Sequence, residues 1–213
     1  DGGLKERPIL FSAPMVRAIL DGQKWQTRRI IKFRGRDHYA QPWMNAGFVG
    51  FDGESVKFCD NISMFLPIRF PYGVIGDRLW VREAIYFSNE HDNFYYQADN
   101  KGVGTKRYLA LKASSSNPKT IQAMFMPRWA SRITLEITDV RVQRLQDISG
   151  DDAIAEGCGN EHGDREIAIS DYVILWESIN GKDSWDANPW VWALSFKRIE
   201  PVTEWQVSRH EIR

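Results

Sequence analysis

The chain has 213 residues, 43% hydrophobic and 26% charged, with 28 basic side chains against 28 acidic and nine Trp. This length and balance suit one soluble globular domain carrying insertions, and zero net charge argues against a general coat for polyanions. Two cysteines exclude a disulfide framework, no CxxC or His/Cys cluster suggests a metal, no cofactor is expected, and without a membrane-length apolar run the expected location is cytoplasmic.

Residues 7–11 (Arg-Pro-Ile-Leu-Phe) predict a short strand, which Pro8 confines to a strand start or a sheet edge. Ser12 is placed as an N-cap, Pro14 fits the first turn of a helix, and Val16, Ile19 and Leu20 recur at helical spacing up to a stop at Gly22. The stretch Gly22-Gln23-Lys24-Trp25-Gln26-Thr27-Arg28-Arg29 then reads as a turn leading into a strand over Thr27–Lys32. Alternation puts Thr27 and Arg29 on one face, and Lys24 can lean back toward them from the turn. An amine, a hydroxyl and a guanidinium near one point suit binding of an electron-rich group, or activation of Thr27 as a nucleophile with Lys24 as its base. On a bare surface strand the same side chains would simply be solvated. Six basic residues and no acid lie between Lys24 and Arg36, whereas eight acids face Arg165 alone between Asp147 and Asp171. Such asymmetry fits a focused anion site better than a broad one.

From Phe33 to Pro71 the periodicity fades into an insertion with one expected hairpin around Phe48–Lys57, turned at Asp52-Gly53. Gly76-Asp77 leads into an alternating strand, with Leu79 and Val81 on one face and Arg78, Trp80 and Arg82 on the other. Trp beside Arg has the composition of a base-stacking wall, and also of ordinary packing. A second insertion, 86–126, contains expected strands at Phe94–Tyr96 and Tyr108–Leu111 and a loop at 114–118.

Ile133–Leu145 predicts the longest strand, its alternation slipping as at a bulge. Ser149 caps a short helix with Asp151 and Asp152 in its first turn and Gly157 as its stop. Glu156 falls in the last turn, where a carboxylate costs about 0.3–1 kcal/mol unless a cation compensates. Ile167–Ile179 predicts a second helix packing through Ile169, Tyr172, Val173, Trp176 and Ile179, and Trp190–Ile199 a closing strand with Trp192, Leu194 and Phe196 on one side. The expected organisation is a single domain over 7–200, with insertions at about 33–71 and 86–126 and a peripheral tail at 201–213.

Three pieces, in this order, resemble the ASCH family of PUA-like proteins: the helix with Gly22-x-Lys24-x-x-Thr27-x-Arg29, the strand Gly76-Asp77-Arg78-Leu79-Trp80-Val81-Arg82, and the helix Ala153-Ile154-Ala155-Glu156-Gly157. The chain is similar to the larger, Trp-rich members carried by phages and prophages. The resemblance implies an α+β fold, a mixed β-barrel with short helices at its ends, and a cleft for RNA, single-stranded nucleic acid or a modified nucleoside. It implies either a hydrolase, as in the N4-acetylcytidine amidohydrolases and the relatives described as ribonucleases, or a non-catalytic binding module. By the amidohydrolase pattern Lys24, Thr27 and Glu156 would be catalytic: Lys24 deprotonates Thr27, Thr27 attacks an acyl carbon, and Glu156 handles the leaving amine. Arg29 would anchor the substrate or balance Glu156, with Trp25, Trp80 and Arg82 as further binding residues. Trp25 inside the motif and the two insertions depart from that pattern.

Overall fold

The computed structural model describes residues 4–32, 47–59, 65–104, 120–159 and 162–199. The expected strand at Tyr108–Leu111, the loop at 114–118 and the tail from 201 lie outside them. In chain order the elements are β1 (Glu6–Leu10), α1 (Ala13–Leu20), β2 (Gln26–Ile30), β3 (Gly47–Phe51), β4 (Ser55–Cys59), β5 (Phe65–Arg69), β6 (Arg78–Arg82), β7 (Ile85–Ser88), β8 (Asn93–Tyr96), β9 (Thr120–Ile121), β10 (Thr134–Arg144), α2 (Gly150–Ala155), α3 (Arg165–Asn180) and β11 (Trp190–Ile199). The fold is mixed α+β.

Five strands far apart in sequence form the main sheet, in the order β1-β6-β10-β11-β2. β1 runs parallel to β6, and the other neighbours are antiparallel. Pro8, which has no N–H to donate, lies in edge strand β1 as its chemistry requires. The expected slip in β10 is a bulge between Ile137 and Asp139 against β11. β11 lies between two partners, and both of its faces are covered from Val191 to Leu194. Ile9, Val16, Leu79, Leu135, Trp192 and Leu194 are among the buried residues of the main core.

A closed barrel is not formed among the described residues, in contrast to the expectation. β1 and β2 remain edges with no ladder between them. A flat sheet would hold these edges four strand spacings apart, about 19 Å. Instead the Arg29 Nη2 donates to the Leu10 carbonyl at 2.6 Å, and the Phe11 and Phe196 rings lie 6.0 Å apart. The sheet is therefore curled, and side chains bridge its open seam.

The first insertion contributes more than the expected hairpin: β3, β4 and β5 form a three-stranded sheet. Asp52 turns the β3–β4 hairpin, its carboxylate accepting from the backbone N–H groups of Glu54 and Ser55 and from the Ser55 hydroxyl. Those hydrogen bonds, Ser55's first, hold its pKa down at about 2. The sheet packs on the main core through Val56, Phe51 and Ile68, with the Phe51 ring 5.6 Å from Trp192. In the second insertion, β8, β7 and β9 form another small sheet, whose Ile85, Phe94 and Tyr96 pack with Met126 and Ala130.

α2 and α3 cover the far side of β11 through Ala153, Ala168, Tyr172, Trp176 and Val191. The buried stripe of α3 matches the expected one at Tyr172 and Trp176, with Ile169 and Val173 half-buried, and differs at two positions. Ala168, Tyr172 and Trp176 face inward, whereas Ile179 is exposed. Asp164 caps this helix by accepting from the N–H groups of Glu166 and Ile167. Among the described residues no helix is long and apolar enough to cross a membrane.

Candidate functional site

Gly22, at φ +73°, ends α1 in the left-handed region and releases the chain into the Lys24 turn. The turn is held at three points. The N–H groups of Gln23 and Lys24 both donate to the Ala18 carbonyl, that of Trp25 donates to Ala155, and Phe196 donates back to the Trp25 carbonyl. The Ala155 contact joins the turn to the C-terminal end of α2, whose last carbonyls need partners from outside the helix. Gly157, at φ +87°, permits this approach: a Cβ there would lie 3.3 Å from the Cβ atoms of Ala18 and Lys24.

Lys24 and Glu156 meet in this junction. The Lys24 Nζ donates to the Glu156 Oε2 at 2.6 Å and to the Glu156 carbonyl at 2.7 Å, and both residues are 3% exposed. The cation that a carboxylate at a helix C-terminus requires is thus supplied by the turn. Burial pushes the Lys24 ammonium below the usual lysine range; Glu156 pulls against this, and the Arg29 charge adds a smaller push downward.

Arg28 holds the other carboxylate oxygen. Its Nη1 donates to the Glu156 Oε1 at 3.2 Å and to the Gln26 Oε1 at 2.6 Å, and its Nη2 donates to the Asp152 Oδ2 at 2.8 Å. Gln26 Nε2 and Arg141 Nη2 both donate to the Asp152 Oδ1, at 3.0 and 2.9 Å. Burial pushes the Asp152 carboxyl up, but the hydrogen bonds from Arg141 and Gln26 and the charge of Arg28 leave it below its ordinary value. Asp152 and Glu156 stand four residues apart on α2, so one guanidinium spans both.

Beside this network opens a cleft of about 270 Å³ with Thr27, Arg28, Arg29, Lys32 and Glu156 in its polar wall. Tyr172 and Trp176 of α3 and Tyr72 after β5 supply aromatic wall. Thr27 is 2% exposed, yet among the described residues its hydroxyl has no hydrogen-bond partner. The Tyr172 hydroxyl is likewise without one, and burial raises its pKa well above the ordinary tyrosine value, so it stays protonated as a donor. Arg29 turns its Nη2 to Leu10 and lies over the Phe11 ring at 5.3 Å, leaving its buried Nε unpartnered.

The structure therefore brings Thr27, Arg29 and Glu156 to one cleft, with Lys24 behind Glu156. It does not bring Trp25, Trp80 or Arg82 there. Trp25 is 45% exposed outside the cleft lining. Trp80 is buried three strands away from β2, between the Arg82 and Arg128 guanidinium groups at 4.6 and 5.8 Å. Arg82 donates to the Met124 carbonyl. Sequence reasoning missed Gln26, Arg28, Asp152 and Tyr172. The four-residue spacing of Asp152 and Glu156 was the available signal for Asp152; the approach of α3 had none. Cys158, near Lys24, is pushed up to about 11, mainly by burial, which makes its thiol a poor nucleophile at neutral pH. Among the described residues no cluster of His, Cys, Asp and Glu could hold a metal ion.

No family model, curated protein or solved structure matches this chain.

Proposed function

We propose that the chain is an ASCH-type hydrolase, PUA-like in ancestry, acting on RNA or nucleosides through Lys24, Thr27 and Glu156. The observation that carries this reading is the buried 2.6 Å contact between Lys24 and Glu156 beside a cleft into which the unpartnered Thr27 side chain is built. Burial pushes the Lys24 ammonium down, which favours release of its proton during the reaction, and the Glu156 carboxylate at 2.6 Å is the acceptor within reach. No hydrogen bond joins Lys24 to the Thr27 hydroxyl among the described residues, so in this reading the neutral amine takes the Thr27 proton through an intervening water as Oγ1 bonds to the acyl carbon of an acylated nucleobase. The carbon–nitrogen bond breaks, Glu156 returns its proton to the leaving amine, and water releases the acid from the Thr27 ester. In the ribonuclease variant the same cations stabilise charge on a transferring phosphoryl group.

The second reading, a reader of nucleic acid or a modified nucleotide without chemistry, is favoured by the aromatic wall of Tyr72 and Trp176. Incubation with N4-acetylcytidine and with labelled single-stranded RNA separates the two. Deacetylated or cleaved product that disappears in Thr27→Ala and Glu156→Gln is the expected result. Binding that survives Thr27→Ala, with no product from the native chain, would replace the enzyme with the reader.

A further inference from the structure

The charges around the cleft divide into a neutral interior and a cationic mouth. Inside, Lys24 and Arg28 are matched by Glu156 and Asp152, each joined through the contacts above. Glu156 is the only acid in the cleft wall among the described residues, and those contacts use both of its oxygens. Two cations of the wall remain unmatched. Arg29 has a neutral carbonyl and a ring as partners, with its Nε unpartnered and buried. Lys32 is exposed and forms no ion pair with any described residue. Both follow Thr27 along the same chain segment, and their greater exposure puts them at the opening while Thr27 and Glu156 lie at the floor. A wall with two unmatched positive charges attracts an anion, and donors held beside a buried floor bind phosphate oxygens more strongly than the same groups in open water.

We infer that Arg29 and Lys32 form a phosphate subsite at the mouth, so that the ligand is a phosphate-bearing nucleotide unit whose base points to the Thr27 floor. This rests on the nucleoside reading above and narrows it: a bare nucleoside would leave both cations unanswered. The mobile-ion dependence follows too, since phosphate contacts weaken as salt rises and base contacts do not.

Calorimetric titration of the full chain at low salt with cytidine, cytidine 5′-monophosphate, a short cytidine oligonucleotide and inorganic phosphate tests it. The mononucleotide is expected to bind at least about ten-fold tighter than cytidine, the gap closing at high salt and in Lys32→Glu. Lys32 is exposed, so that variant should fold, and unchanged cytidine affinity in it serves as the control. An oligonucleotide bound more tightly than the mononucleotide, with the same Lys32 dependence, supports the subsite and identifies RNA as its source. Equal binding of cytidine and its monophosphate overturns the phosphate subsite and leaves the nucleoside reading standing. Phosphate alone binding as tightly as the nucleotide overturns the nucleoside reading and leaves only an anion site, and no binding by any of the four compounds overturns both.

Discussion

At the residue scale, the decisive feature is how a buried ammonium and a buried carboxyl are kept together. Removing one partner leaves the other desolvated with weaker compensation (Glu156 keeps Arg28, and Lys24 keeps the residue-156 carbonyl), which costs up to about 3–5 kcal/mol, whereas removing both costs less than the sum. Lys24→Met and Glu156→Leu should each destabilise by that amount in urea unfolding, and the double variant should lose less than the sum. Additive losses would mean that the pair is not coupled. Asp152 makes a pH prediction. Its folded pKa lies below the ordinary 3.8, so its stabilising contribution is present above that value and is lost as pH falls through the folded one. Acid unfolding from about pH 4 downward should therefore be shallower in Asp152→Asn, which keeps the shape but cannot titrate. Glu156 and Asp152 are themselves instructive: read along the sequence, each is one acid of an acidic stretch, and only their common guanidinium gives them a joint role.

Elements are placed by a few strained or close-packed positions. α2 has six residues, too few to hold shape alone, and is fixed by its ends. The Ser149 hydroxyl accepts from the Asp152 N–H at its start, and the Lys24 turn meets its finish. Gly157→Ala would impose the left-handed strain and push against Ala18 and Lys24 with contacts at 3.3 Å. A loss of about 1–3 kcal/mol is expected, and the proposed hydrolysis should fall more than stability because the Lys24–Glu156 geometry is displaced. Ser149→Ala, costing about 1 kcal/mol, is the comparison: it loosens the helix start while leaving the junction in place. Equal effects of both on activity at matched stability would remove Gly157 from any positioning role. α3 shows an amphipathic reading that is right about the face and wrong at its end. Tyr172 and Trp176 are buried and Ile169 packs beside them as expected, but Ile179 is exposed, and the unexpected Ala168 faces Gly159, because close packing favours a small side chain there.

Across the whole molecule, Trp192 ties the parts together. It is 2% exposed in β11, and its ring meets Phe51 and Phe70, so the main sheet and the first insertion share one core. Trp192→Ala should cost about 3–5 kcal/mol. Hydrogen exchange should quicken in β4 as well as in β11; acceleration confined to β11 would show that the insertion folds independently. The curled sheet matters for the cleft because it brings edge β2 back toward edge β1, where Arg29 reaches Leu10 across the seam.

Some of this was written in local order. Pro8 at an edge, the Asp52-Gly53 turn, the slipped β10, the Ser149 cap and the extent of β11 all follow from the chemistry of one residue and its near neighbours, so the linear chain determined them. The resemblance of three short motifs also drew attention to Lys24, Thr27 and Glu156, of which Lys24 and Glu156 meet in the fold. Other features required the folded molecule. A third strand in the first insertion, an open seam in place of a barrel, and the Gln26–Arg28–Asp152 network depend on residues more than 100 positions apart in sequence, or on pairings that no local preference encodes. Helix and turn preferences act over a few residues, whereas burial, sheet order and charge neutralisation are decided by what the rest of the chain brings alongside.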